Sequence, residues 1–270
     1  MFFDAMASAG SSCMNTENPF DLTGKNAVVT GSSKGIGRSI AEHLARFGAR
    51  VAISSRKLDA CEEVAASIRE RGGEAAAIAC NVGNKEQAGE LIAKARQTFG
   101  PIDIMVCNAA VNPYYGLLTE IDDEAYRKTM DSNVLSNLWF ARLVKDDMTA
   151  RGGGTFIVVS SIGSLKGSPN LGVYGISKAA CNQMVRNLAV EWGKHNIRVN
   201  AILPGLVKTD MARALWDSPQ GQERIRTRFP IARMGEPDDL GPAAVFLASR
   251  AGAWMTGQTL VIDGGTTIMP

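Results

Sequence analysis

The sequence predicts a single-domain, doubly wound α/β fold: a seven-stranded parallel sheet with helices on both faces. Three observations predict it. Seven short β-branched runs alternate with stretches whose apolar residues recur at three- and four-residue spacing. The runs are continuously apolar, as strands buried on both faces are. A glycine-rich turn joins the first run to the first helical stretch, the place where such folds hold dinucleotides.

In chain order the predicted strands are Asn26–Thr30, Arg50–Ser55, Ala75–Cys80, Ile102–Cys107, Thr155–Ser160, Arg198–Leu203 and Thr259–Ile262. Helices are predicted over Ile36–Phe47, Lys57–Arg71, Lys85–Phe99, Asp123–Met148, Val173–Gly193 and Asp238–Ser249. In the third of these, Ala88, Leu91, Ile92, Ala95 and Phe99 share one helical face. Residues 1–20, rich in Ser, Ala, Gly and Asn, read as a loosely ordered tail. Residues 21–270 read as one domain, because no linker or repeat divides them. Residues 206–229 break the rhythm between the sixth strand and the last helix, where substrate-covering lids occur.

Composition removes several functions. Among 270 residues, 29 basic and 27 acidic side chains leave a charge of +2, too small an excess to argue for nucleic acid. No apolar run approaches the roughly 18 residues of a membrane helix. The cysteines (Cys13, Cys61, Cys80, Cys107, Cys181) form no Cys-x-x-Cys pair, and the only histidines are His43 and His195. Neither a disulfide framework nor a zinc site is expected; reduced thiols in a cytoplasmic protein are. The first 24 residues hold no Lys or Arg, so neither a secretory nor a mitochondrial leader is expected.

The turn reads Thr30-Gly31-Ser32-Ser33-Lys34-Gly35-Ile36-Gly37. Glycines let the backbone approach a pyrophosphate, and a helix N-terminus offers unpaired N–H groups and partial positive charge. About 20 residues on, NAD-binding proteins usually present Asp or Glu to the ribose. Here the second strand runs into Ser55-Arg56-Lys57, with Lys34 nearby in the turn. Converging cations suit a 2′-phosphate, so the cofactor reading is NADP(H). The competing reading is that Arg56 and Lys57 only begin a solvated helix.

Strand five ends in Ser160-Ser161, and Tyr174-Gly175-Ile176-Ser177-Lys178 opens a helix thirteen residues later. A spacing of four puts Tyr174 and Lys178 on one face. A phenol is a poor base at neutral pH, but a nearby ammonium favours its anion, so Tyr174 can exchange a proton with a carbonyl or alcohol oxygen. Ser161 can hydrogen-bond that oxygen.

These residues resemble the short-chain dehydrogenase/reductase family, over residues 20–268. The markers are the glycine turn, Asn108-Ala109-Ala110, Asn133-Val134, Ser161, Tyr174-x-x-x-Lys178, Pro204-Gly205-x-Val207-x-Thr209 and Asp263-Gly264-Gly265. The resemblance implies a catalytic set of Asn133, Ser161, Tyr174 and Lys178. Lys178 would also hold the nicotinamide ribose, and Asn133, in a kinked helix, would keep a water for proton relay. Gly31, Ser33, Lys34, Gly35, Ile36 and Gly37 would bind phosphate, and Ser55, Arg56 and Lys57 the 2′-phosphate. Asn81 and Val82 would touch adenine. Asn108, Ala109 and Ala110 would line the cofactor, and Pro204, Gly205, Val207 and Thr209 would hold the carboxamide end. Two departures stand out: Asn81 where the family often has Asp, and Cys107 and Ala110 in a stretch that usually reads Asn-Asn-Ala-Gly.

Within the family, Asn108 to Gly116, Arg151 to Gly154, and Asn196 to Asn200 with Pro204 to Thr209 look like NADP-dependent carbonyl reductases acting on retinal and aromatic ketones. The chain's end, Ile268-Met269-Pro270, is not the peroxisomal address such relatives carry. Enoyl reductases separate their Tyr and Lys by more than four residues. Candidate substrate contacts are Asn112, Tyr114, Leu165, Leu171, Met211, Leu215 and Trp216, whose apolar members suit a hydrophobic carbonyl compound. The expected activity is carbonyl reduction. The alternatives are a 3-oxoacyl-thioester reductase or polyol dehydrogenase, and a non-catalytic NADP-binding scaffold. The resemblance and two long helical stretches also imply a homotetramer.

Overall fold

A computed structural model of the chain describes residues 18–212 and 216–269. The expected tail lies outside the described residues up to residue 17. The strands are β1 (Asn26–Thr30), β2 (Arg50–Ser54), β3 (Glu74–Ala77), β4 (Ile104–Cys107), β5 (Gly154–Val159), β6 (Ile197–Pro204) and β7 (Thr259–Ile262). They form one sheet, ordered β3-β2-β1-β4-β5-β6-β7, and each pairing is parallel. The helices are α1 (Gly35–Arg46), α2 (Leu58–Glu70), α3 (Lys85–Phe99), α4 (Asp123–Met130), α5 (Ser136–Ala150), α6 (Gly172–Trp192), α7 (Pro219–Arg228) and α8 (Gly241–Ala248).

Strand side chains alternate between two cores. Val28 and Met105 face Leu91, Val144 and Val185, from α3, α5 and α6. Val29, Ile104 and Val106 face Ile40, Val64 and Leu247, from α1, α2 and α8. Such two-sided burial is why the strands read as unbroken apolar runs. Strand order reverses between β1 and β4, and ligands of such sheets sit in the crevice at the carboxyl ends there.

Most boundaries shift by a residue or two, and three expectations change by more. The stretch Asp123–Met148 is not one α-helix: a π turn, Asp131–Leu135, separates α4 from α5. Ser136 N–H donates to Asp131 O, five residues back. The carbonyl of Asn133 instead accepts from Asn137 Nδ2 (2.8 Å) and Cys181 Sγ (3.1 Å). Single π turns of this kind recur at functional sites. The last helix begins at Gly241, not Asp238; Pro237–Asp239 forms a 3-10 turn. Strand β3 ends at Ala77, although Ile78 and Cys80 still donate to Ile53 and Ser55.

Candidate active site

A cleft of about 1890 Å³ runs across the carboxyl ends of the strands. One drug-sized ligand fills roughly 300–1,000 Å³, so the cleft has room for a dinucleotide and a second molecule.

The glycine turn forms its floor. Gly31 and Gly35 sit at φ +65° and +57°, where side chains are strained. Gly37 is needed for a different reason: a Cβ there would stand 2.4 Å from Gly31 O. Asn108 Nδ2 donates to Thr30 O and Gly31 O at 3.0 Å each, and Thr30 Oγ1 accepts from the N–H groups of Asn108 and Ala109. Asn108 therefore braces the turn. Lys34 occupies the α1 N-cap without capping it by its side chain. The first-turn N–H groups, with Ser33 and Ile36 beside them in the cleft wall, are open to an anion.

At the end of β2, Ser55 and Arg56 line the cleft, and Arg56 makes no ion pair or hydrogen bond with another described residue. Lys57 does not reach the cleft; it stands at the α2 N-cap. Asn81 and Val82 line the far end, where Asn81 Oδ1 accepts from Gly83 N–H at 3.2 Å. Ala110 lines the cleft without a positive φ, so Ala in place of Gly strains nothing here. Cys107 packs in the core, and burial pushes its thiol well above the usual range. Cys80 is likewise pushed up to about 11, chiefly by burial. These features — open N–H groups, close-packed glycines and a guanidinium unpaired among the described residues — fit a dinucleotide phosphate.

Midway along the cleft stand Ser161, Tyr174 and Lys178. A Cβ on Gly163 would lie 3.4 Å from Ser161 Oγ and 3.9 Å from Tyr174 Cε1, so the two side chains flank that residue. Ser161 Oγ accepts from Gly163 N–H at 3.0 Å, which leaves its own O–H to donate. Lys178 is 3% exposed, and its Nζ donates to Val159 O at 2.8 Å and stands 5.6 Å from the Tyr174 ring centroid. One ammonium donor is spent on that carbonyl, and two remain. Asn133 does not line the cleft. Its Oδ1 accepts from Val111 N–H (2.8 Å), and its Nδ2 donates to Val111 O (2.9 Å) and Ser177 Oγ (3.0 Å). It ties the loop after β4 to the residue preceding Lys178.

The far wall follows β6. Pro204 and Gly205 line the cleft, and a Cβ on Gly205 would meet Asp263 Cα at 2.6 Å. Val207 bridges to Gly235, fixing the loop's path. Thr209 faces the glycine turn, since a Cβ on Gly35 would lie 3.2 Å from Thr209 Cγ2.

A family model described as enoyl-(acyl carrier protein) reductase matches residues 31–267. A curated cattle (Bos taurus) protein, dehydrogenase/reductase SDR family member 4, is 39% identical over 97% of this chain and 92% of its own length. A short-chain type dehydrogenase/reductase from Mycobacterium marinum superposes with a TM-score of 0.86 at 35% identity, covering 92% of this chain and 98% of its own. This chain belongs to the short-chain dehydrogenase/reductase family. A gluconate 5-dehydrogenase from Burkholderia cenocepacia, in complex with NADP and tartrate, superposes with a TM-score of 0.88 at 32% identity. It covers 93% of this chain and 98% of that one. As a member of the family the protein is an oxidoreductase.

The substrate end departs most from expectation for this short-chain dehydrogenase/reductase. Asn112 and Leu171 line the cleft; Tyr114, Leu165 and Trp216 do not. Tyr114 turns back, its O–H donating to Leu117 O at 3.1 Å, and its neighbour Tyr115 faces the cleft instead. Leu165 is half exposed outside it. Leu215 and the Met211 side chain lie outside what is described. The wall is made by Ile162, Ile225 and Phe229, and by Thr266 and Met269 of the C-terminal turn. Asp263 builds that turn, accepting from Gly265 N–H (2.8 Å), Thr266 Oγ1 (2.9 Å) and Thr267 N–H (2.7 Å). Partial burial raises the Asp263 pKa, but these bonds outweigh it and hold the carboxyl below its ordinary range. Sequence reasoning missed Thr266 and Met269. An Asp followed by two glycines and two threonines is the signal that an aspartate-anchored turn returns the terminus to the cleft.

Proposed function

We propose that this protein is an NADP-dependent carbonyl reductase that interconverts an apolar ketone and its secondary alcohol. The reading is carried by one juxtaposition: Ser161 and Tyr174 flank Gly163, with the Lys178 ammonium fixed beside the phenol ring. A reduced dinucleotide would supply the hydride; the remaining work falls to this chain. Tyr174 O–H protonates the carbonyl oxygen in reduction and recovers that proton in oxidation. Ser161 donates to the same oxygen and steadies its developing charge. The ammonium donors of Lys178 that Val159 leaves open would hold the ribose. We assign Asn133 to positioning, because its amide is spent on Val111 and Ser177.

NADP is supported by Arg56, a guanidinium without a partner among the described residues where an acidic residue would select NAD, and by the NADP-bound gluconate dehydrogenase. Arg56→Asp is expected to weaken NADPH binding at least about tenfold more than NADH binding, ~1.4 kcal/mol. Equal losses for both would remove the phosphate assignment.

Ile162, Leu171, Ile225, Phe229 and Met269 give the substrate wall an apolar share beside Asn112, Tyr115 and Thr266, which favours a hydrophobic carbonyl compound. A panel of aromatic ketones, acyl thioesters and sugar alcohols, read by NADPH absorbance, tests this. Aromatic ketones are expected to give the highest kcat/KM. Highest turnover of a sugar alcohol would shift the reading to a polyol dehydrogenase.

We assign residues 21–270 to a single domain, with residues 206–229 as its lid. We also assign the protein to the cytoplasm, consistent with four buried, unpaired cysteines among the described residues. We assign it a homotetrameric state. Exposed Leu135 and Ile176 near the α4–α6 face, and exposed Val190, Trp254 and Val261 near β7, offer apolar surface for two interfaces. A monomer in sedimentation would overturn that assignment.

A further inference from the structure

Lys34 is not idle in the glycine turn. Its Nζ stands 2.7 Å from Asp210 Oδ2, on the short helical turn Asp210–Ala212 that opens the lid. Both side chains line the cleft, and both are more than half exposed, 72% and 58%. The ion pair therefore crosses from the phosphate turn to the loop after β6. The Thr209–Gly35 approach seats that crossing.

The turn is also tied to the end of β2. Ser32 N–H donates to Ser54 O at 3.0 Å, and Ser54 N–H donates to Ser32 Oγ at 2.8 Å. Arg56 lies two residues beyond Ser54, so Lys34 and Arg56 belong to one corner of the cleft. Arg56 is without a partner among the described residues, whereas Lys34 is held by a carboxylate.

We propose that Asp210 is a specificity-determining residue that opposes the 2′-phosphate. Its carboxylate competes with that phosphate for Lys34, and so narrows the preference for NADPH over NADH that Lys34 and Arg56 jointly create. The inference rests on the NADP reading above. An exposed ion pair is weak enough to yield to a phosphate dianion, yet breaking it subtracts from the gain of binding. NADH makes no such demand on Lys34 and is indifferent to the pair.

The test is equilibrium binding of NADPH and of NADH, followed by cofactor fluorescence, to wild type, Asp210→Asn, Lys34→Met and the double variant. Asp210→Asn is expected to tighten NADPH about three- to tenfold and NADH less than about twofold. With Lys34→Met in the background, the gain is expected to shrink below about twofold. An unchanged NADPH-to-NADH affinity ratio in Asp210→Asn would overturn the proposal, as would an equal gain without Lys34. Failure of the NADP reading looks different: wild type would bind NADH at least as well as NADPH, and Arg56→Asp would leave the ratio untouched. That result takes this inference down with it. A clear wild-type preference for NADPH that Asp210→Asn does not alter removes the inference alone.

Discussion

Tyr174→Phe is expected to lower kcat for carbonyl reduction by about two to four orders of magnitude, with NADPH affinity close to wild type. The substitution removes one oxygen and keeps the ring, so the packing of α6 and the Lys178 contact at 5.6 Å survive. What disappears is the hydroxyl of the side chain that flanks Gly163 together with Ser161. Ser161 can still donate to the substrate oxygen, but an alkoxide left without a proton donor reverts to the carbonyl. Stopped-flow single turnovers separate this loss from slow product release, and cofactor fluorescence gives the affinity. A variant keeping more than about a tenth of wild-type kcat would end the proton-donor assignment. It would also strengthen the reading of the protein as a dinucleotide-binding scaffold.

The strands and the Tyr174–Lys178 pair were legible because each rests on local rules. Two-sided burial writes unbroken apolar runs, and a spacing of four writes a shared helical face whatever surrounds it. The predicted face of α3 reappears as buried Ala88, Leu91, Ile92 and Ala95, with Phe99 packed against the same core. The π turn was not legible as a break in the helical pattern. It depends on Asn133 reaching Val111 and on Cys181 reaching the Asn133 carbonyl, partners 22 and 48 residues away. No window of sequence contains those contacts.

Loops were the other gap. Neighbours in an irregular segment point in unrelated directions, and no period tells them apart. Tyr115 faces the cleft while Tyr114 bonds its own loop, and Arg56 reaches the corner that Lys57 does not. The substrate wall suffers most, since Ile162, Ile225 and Met269 come from segments far apart in sequence. Phosphate recognition, by contrast, is read from one turn, and there sequence and structure agree residue by residue from Gly31 to Gly37 in lining the cleft, Ser32 excepted.

That turn supports the second large prediction. Gly37→Ala is expected to cost about 1–3 kcal/mol of stability and to weaken NADPH binding at least about tenfold. The expectation runs against helix propensity, since Gly37 lies inside α1 without a positive φ, and alanine is the better helix former by about 1 kcal/mol. Packing decides the sign. A Cβ on Gly37 would come 2.4 Å from Gly31 O and 2.4 Å from Asn108 Nδ2. The two atoms are hydrogen-bonded to each other at 3.0 Å, so neither can retreat alone. Relief requires the turn to move off α1, and the turn is the surface a pyrophosphate would approach. Gly89, inside α3 with nothing within 4 Å of its added Cβ, is the control. There the propensity term acts unopposed, and Gly89→Ala is expected to stabilise by about 0.5–1 kcal/mol without touching cofactor affinity. Urea melts and NADPH titrations of the two variants read both quantities. Parallel behaviour of Gly37→Ala and Gly89→Ala would show that close approach at the turn is not what demands glycine there.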